Sequence, residues 1–241
     1  MKKKHLFILG FLFILAAIML PEVQHLLSLD LSDPNTVQAA GPAFAPLMYK
    51  MGQNNMGGFK PCVLFIPARS VSTVPTVPLP KDAADNTGLV TADGTFTFIE
   101  GSGVAQPIYL YSTDGEVDYK AEPQGEADGI SFKPTLTFFF PGNTPEMHAF
   151  NALVKNTQGY YVFEDVDGRQ MMLGQPGLPA STSPSFAGGK ARADRRGTTY
   201  TATADSNYSA VFLKTPIDME ATGEYKPAPG NSSDIDDNPL G

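Results

Sequence analysis

Between Ile130 and Phe140 apolar and polar residues alternate over eleven positions, and this pattern constrains the fold more than any other in the chain. Ile130, Phe132, Leu136, Phe138 and Phe140 hold one parity, while Ser131, Lys133, Thr135 and Thr137 hold the other. A period of two puts successive side chains on opposite faces of a β-strand. The stretch is therefore a half-buried strand, and a long one for a globular protein. Burying four or five such side chains is worth roughly 1.5–3 kcal/mol each. Either the core or a neighbouring subunit must cover that face, which makes Phe138 and Phe140 candidates for a self-assembly contact. Pro134 has no N–H for a ladder, so a bend or an edge position is expected there.

Shorter segments around it read the same way. Cys62 to Ile66 is an apolar strand, and Pro75, Pro78 and Pro80 then impose an extended stretch. Thr95 to Glu100, Ile108 to Ser112 and Glu116 to Glu122 follow as strands. The last two are separated by a tight Thr113-Asp114-Gly115 turn. Tyr160 to Glu164 and Gln170 to Leu173 form a hairpin around Asp167-Gly168, expected as a two-residue turn. Thr198 to Ala204 and Ser209 to Leu213 close the series. Together, 23 Gly and 21 Pro approach a fifth of the 241 residues, which favours turns over long helices.

One helix is well signalled after the long strand. Thr144 suits an N-cap, Pro145 the first helical position, and Glu146 the positive end of the dipole. Met147, Phe150, Leu153 and Val154 recur at helical spacing, as a stripe packed on a sheet would. His148 lies off the stripe and is expected in solvent.

Between Gly174 and Gly197 the sequence reads as a long Pro-, Ser- and Gly-rich loop, expected to be mobile in a free subunit and ordered in an assembly. Its end carries Lys190, Arg192, Arg195 and Arg196, a basic cluster that is also a candidate for self-assembly. The segmentation expected is an apolar segment 1–47, a Pro-rich arm 48–87, a β domain 88–223 and a disordered acidic tail 224–241. Lys2, Lys3 and Lys4 before the apolar Leu6–Leu20 run resemble a signal peptide's first two regions, but no small-residue cleavage site follows closely. An export signal, an upstream extension before a start at Met48 or Met51, and a structural helix all remain open.

Chemistry is sparse. A net charge of −8 argues against ordinary nucleic-acid binding, which needs Lys and Arg to replace phosphate counterions. Cys62 is the lone cysteine and His5, His25 and His148 are scattered, so no disulfide and no metal cluster is expected. Asp165-Val166-Asp167-Gly168 suits a hairpin better than a calcium loop. Glu164 and Asp165 are adjacent on a strand and point to opposite faces, so they make no carboxylate pair. Ser70, Ser72 and Ser102 lack a nucleophile elbow, and Gly101-Ser102-Gly103 lacks the helix of a phosphate loop. The expectation is a protein without catalytic residues or cofactor.

The order of strands, long strand, Thr-Pro-Glu helix, hairpin, long loop and Thr-rich strand resembles the tail tube (major tail) proteins of tailed bacteriophages. The likeness runs from about Gly94 to Met219. It is carried by Leu136-Thr-Phe-Phe-Phe-Pro-Gly142, the helix to Asn156, Gly159-Tyr-Tyr-Val-Phe-Glu-Asp-Val-Asp-Gly168-Arg-Gln-Met-Met-Leu-Gly174 and Ala193-Asp-Arg-Arg-Gly-Thr-Thr-Tyr-Thr-Ala202. It implies a β-sandwich or barrel with one flanking helix. Such subunits form rings, usually hexameric, that stack into a tube through which DNA passes without specific binding. The partners implied are other copies of the chain and further tail proteins, and the location implied is the virion. Residues 1–47 depart from the family pattern. Taken at face value they imply an exported, β-sandwich surface or pilus-like subunit instead.

Overall fold

The computed structural model describes residues 46–49, 51, 56–79, 82–83 and 85–219. The expected apolar run Leu6–Leu20 and the acidic tail 224–241 lie outside the described residues. The described body is mostly β with a single helix. Its six-stranded sheet has the order β3 (Thr91–Ala92), β12 (Phe212–Leu213), β9 (Gln170–Leu173), β8 (Gly159–Asp165), β1 (Phe59–Pro67), β5 (Ile108–Tyr111). A four-stranded sheet has the order β10 (Ser181–Ala187), β11 (Gly197–Thr203), β7 (Ser131–Pro141), β6 (Asp118–Gln124), and β2 (Val71–Thr73) pairs with β4 (Thr97–Phe98).

The sequence of β1 and β8 explains why they sit at the centre. Cys62–Ile66 and Tyr160–Phe163 are apolar at both parities, so both faces of these strands must be covered. One face meets the four-stranded sheet. There Val63, Phe65, Tyr161, Phe163, Met171 and Leu173 pack on Leu136, Phe138, Tyr200 and Ala202. The opposite face, with Cys62, Leu64, Ile66, Tyr160, Val162 and Met172, is covered by Val71, Ala92, Phe96, Val211 and Ile217. Residues of the expected Pro-rich arm thus supply a central strand of the sandwich, because their apolar run can be buried nowhere else.

The long strand lies where the alternation puts it, as β7, with Leu136 and Phe138 wholly buried. It is an interior strand, however, and the edge position considered for Pro134 is not found. Phe132 exchanges both backbone hydrogen bonds with Ser206, and the Pro134 carbonyl accepts from Ala204. The missing N–H faces Ala204, just past the end of β11 at Thr203, so that pair keeps one of its two backbone bonds and the pairing resumes at Phe132 and Ser206. Ile130 lies outside the strand and is exposed.

Helix α1 (Pro145–Val154) starts as its sequence dictates, with the Thr144 hydroxyl accepting from the Met147 N–H and Pro145 at the first position. Its buried stripe differs from expectation. Met147 and Val154 are buried and Phe150 is half-buried, but Leu153 is 70 % exposed. Asn151 takes the inward place, donating to the Thr198 hydroxyl and accepting from the Tyr200 hydroxyl. A polar residue was selected there because the sheet beneath offers two hydroxyls, which only the tertiary partner reveals.

Two connections also depart from the sequence reading. β5 and β6 belong to different sheets, so Thr113-Asp114-Gly115 passes between layers rather than closing a hairpin. The buried Ser112 hydroxyl and the Thr113 N–H serve the Phe139 backbone, tying the connection to β7 beyond the start of β6. The β8–β9 turn spans three residues, Val166 to Gly168. Gly168 takes a left-handed φ of 83°, and the Asp165 N–H bonds the Arg169 carbonyl.

Candidate assembly surfaces

Of the six residues singled out for assembly, Phe138 cannot serve. It is fully buried in the sandwich, stacked on Tyr200 at 4.9 Å between ring centroids and near Tyr161 at 6.1 Å. The core, not a second subunit, covers its face. Phe140 has the same parity and is partly buried against the same cluster.

The four basic residues are brought together on one loop, from Gly188 to Arg196, and all are exposed. The 24-residue loop that carried them in the sequence reading contains a seven-residue strand, β10, which pairs with β11 over its whole length. Pro184 made this segment look irregular. Deleting residues 178–188 would remove all of β10, so loss of subunit stability is expected. A thermal melt of the deletion variant measures this.

What remains of the loop is built around two carboxylates. Asp194 accepts from the backbone N–H groups of Lys190 and Ala191, and these bonds hold its carboxyl below the usual range. Arg195 bonds Glu116 at 2.5 and 3.1 Å while its guanidinium lies 3.7 Å from the centre of the Phe139 ring. Lys190, Arg192 and Arg196 make no ion pair among the described residues. The hydrogen bond from Arg195 lowers the pKa of Glu116, so the tether is intact above the carboxylate range and is lost as pH falls through the lowered value. Within residues 85–219, trypsin should cut first between Lys190 and Arg196. Glu116→Gln should speed that cleavage several-fold without lowering the melting temperature, because an exposed pair adds little to stability.

The outer face of the four-stranded sheet is a second surface, one that the sequence reading left unassembled. Cross-strand pairing lines up Asp118, Thr137, Thr201 and Ser183 in one row, and Lys120, Thr135, Thr203 and Ser181 in the next. A third row joins Phe139, Thr199 and Ser185, and Glu122 faces Lys133. The result is a sheet of hydroxyls with two acids and two bases, Asp118 and Lys120 being paired at 2.9 Å. Its signal in the sequence is the alternation of Ser and Thr along β10 and β11, which becomes a surface only once the register is known.

The edges of this sheet are closed to further pairing. Phe132 turns its backbone groups to Ser206, away from β6, so Pro123 opposite it directs its missing N–H to open solvent. Phe139 gives its backbone groups to Ser112 and Thr113. The alternation along the ladder then turns Tyr200 toward β7 and aims the missing N–H of Pro184 outward. Outward prolines and the charges on β6 are the ordinary guards against edge pairing.

Elsewhere the chemistry is structural. Burial pushes the Cys62 thiol up to about 11, so it is un-ionised at neutral pH and a poor nucleophile; its Sγ donates to the Met219 carbonyl at 3.2 Å. Glu164, half of the carboxylate pair dismissed above, pairs with Lys60 and accepts from Gln170. Gln170 in turn binds both backbone groups near Ile217, pinning the end of the described body to the sheet. His148 bonds Asn143 and lies edge-on to Phe186. Among the described residues no three His, Cys, Asp or Glu side chains converge, and no helix is long and apolar enough to cross a membrane. Compared with family models, curated proteins and solved structures, the chain finds no match.

Proposed function

We propose that this protein is the repeating subunit of a tail-tube-like conduit, assembling with copies of itself into stacked rings, with the hydroxyl-rich outer face of β10-β11-β7-β6 turned toward the bore. The observation that carries the reading is that face. Its register forms rows of Ser and Thr, its acids Asp118 and Glu122 balance its bases Lys120 and Lys133, and Arg195, which covers Phe139 at the end of the third row, is paired with Glu116. DNA carries one phosphate charge per roughly 1.7 Å, so a wall rich in Lys or Arg would hold it through counterion release. Hydroxyls and balanced ion pairs keep a hydrated wall without that attraction. The net charge of −8 adds to the same effect.

Negative-stain microscopy of the full chain tests the proposal: rings or tubes of uniform bore are expected, and a chain that stays monomeric at every concentration refutes it. Introducing Thr137→Lys with Thr201→Lys should leave assembly intact but make the tubes retain double-stranded DNA. Retention should fall steeply with added salt, as a filter-binding series would show. The second reading is an exported surface or pilus-like subunit, favoured by Lys2–Lys4 and the Leu6–Leu20 run. Mass spectrometry of the native amino terminus separates the two, since cleavage between Leu20 and Ala40 belongs to export.

A further inference from the structure

The edges of the two large sheets are not equally protected. β6 and β10 each carry an outward proline, and β3 has only two residues. β5 has no proline and no charge within Ile108–Tyr111. The Ser112 N–H bonds the Pro61 carbonyl, so the alternation turns Ile108 and Leu110 toward β1 and leaves the N–H and C=O groups of Tyr109 and Tyr111 facing outward. Both tyrosines are exposed, at 39 % and 44 %, and among the described residues no strand lies beyond them. Four backbone hydrogen-bonding groups with two aromatic side chains beside them form a site for one more strand.

A matching segment lies ahead of β1. Leu47, Met48, Tyr49 and Met51 are 74 to 101 % exposed, so large apolar side chains stand clear of their own body. Leu47, Tyr49 and Met51 share one parity and Met48 stands on the other, so an added strand would present apolar side chains on both faces. Seven residues, 52–58, separate this arm from Phe59, a span of about 24 Å when extended. Phe59 opens β1 close to the Cys62↔Tyr111 pair, at the end of the sheet where the β5 edge lies, and among the described residues neither arm nor edge has a strand partner.

We propose that residues 46–49 of one copy add as a strand to the β5 edge of the next, beside Tyr109 and Tyr111. The contact joins two different surfaces, so it propagates from copy to copy and closes into a ring or continues as a filament. It rests on the self-association in the reading above, and not on the bore or on DNA.

Two full-length variants, Tyr49→Cys and Tyr109→Cys, are mixed under mild oxidation, and the pairing is repeated with Tyr111→Cys. Disulfide-linked dimers are expected in at least one mixture and in neither variant alone. All three variants carry Cys62→Ala, because Cys62 stands opposite Tyr111 and would compete for the new thiol, and Cys62→Ala alone supplies the blank. Tyr109→Pro adds a proline whose missing N–H points outward, as Pro123 and Pro184 already do. It should abolish assembly while leaving the melting temperature of the monomer within about 2 °C of wild type. No linked dimer in either mixture while microscopy still shows assemblies overturns the arm contact and leaves the subunit reading standing. A link that forms only inside chains carrying both cysteines overturns it in favour of the chain's own edge, and normal assembly of Tyr109→Pro also overturns it. A wild type that never associates defeats both this contact and the reading beneath it.

Discussion

Replacing Phe138 with lysine is expected to leave the chain without its native fold. The ring has no exposed surface, stacks on Tyr200 and adjoins Tyr161, and both tyrosines are themselves in the core. Loss of a buried phenylalanine alone costs about 3–5 kcal/mol. An ammonium in its place finds no acid within the cluster, whose other members are apolar or tyrosine, and an unpaired buried charge adds several kcal/mol more. The sum is comparable with the whole stability of a domain, about 5–15 kcal/mol. Circular dichroism and a thermal melt of Phe138→Lys should show no cooperative transition. Phe140→Lys, at the same parity but only partly buried, should still fold. A cooperative melt for the first variant near that of wild type would mean that the packing of β7 on β8 is wrongly drawn.

Gly159→Ala is expected to have the second largest effect, for a reason that involves no side chain of its own. Gly159 opens β8, exchanges both backbone hydrogen bonds with Ala180 and stands opposite Pro67 of β1. An added Cβ would lie 2.6 Å from the Ile66 carbonyl oxygen and collide with the Phe65 ring. The strand is held on both sides, so it cannot step away, and the ring is edge-on to Phe150 on α1. Overpacking of this kind costs about 1–3 kcal/mol and more where backbone is the obstacle. For a chain of this size a loss of about 3 kcal/mol lowers the melting temperature by roughly 6–12 °C. Gly57→Ala serves as the control, since nothing lies within 4 Å of a Cβ built there. Equal melting temperatures for the two variants would show that β1 and β8 are not as closely apposed as described.

Local patterns in the sequence carried much of the fold. The alternation of β7, the cap and first proline of α1, and the hairpin turn after β8 are each decided by neighbours within a few residues, and each appears in the structure, the turn being one residue longer than expected. What could not be read was set by partners far along the chain. β10 looked like loop because Pro184 signals irregularity, yet at an edge with its nitrogen outward a proline costs the ladder nothing. Leu153 belonged to the helical stripe by spacing, but Asn151 displaced it because Thr198 and Tyr200 lie beneath. Phe138 was correctly placed on a buried face, while the identity of what buries it depended on Tyr161 and Tyr200. The basic cluster was legible as a cluster. Its tether to Glu116, 79 residues away, was not. The hydroxyl face is the plainest case, since every Ser and Thr in it is visible in the sequence and only the register makes them rows.

The position of β1 has a consequence for how the chain is made. Its ladder partners are far downstream, Leu64 facing Tyr109 on one side and Val162 on the other. At a synthesis rate of about 5–20 residues per second, the 98 residues from Leu64 to Val162 take roughly 5–20 s to emerge. During that interval Cys62-Val-Leu-Phe-Ile66, an uncharged run suited to pairing with any exposed strand, has no native neighbour on its β8 side. Neighbouring chains on one polysome would present the same run at the same moment. The yield of soluble protein should therefore depend on translation speed and on holding chaperones more than on the stability of the finished fold.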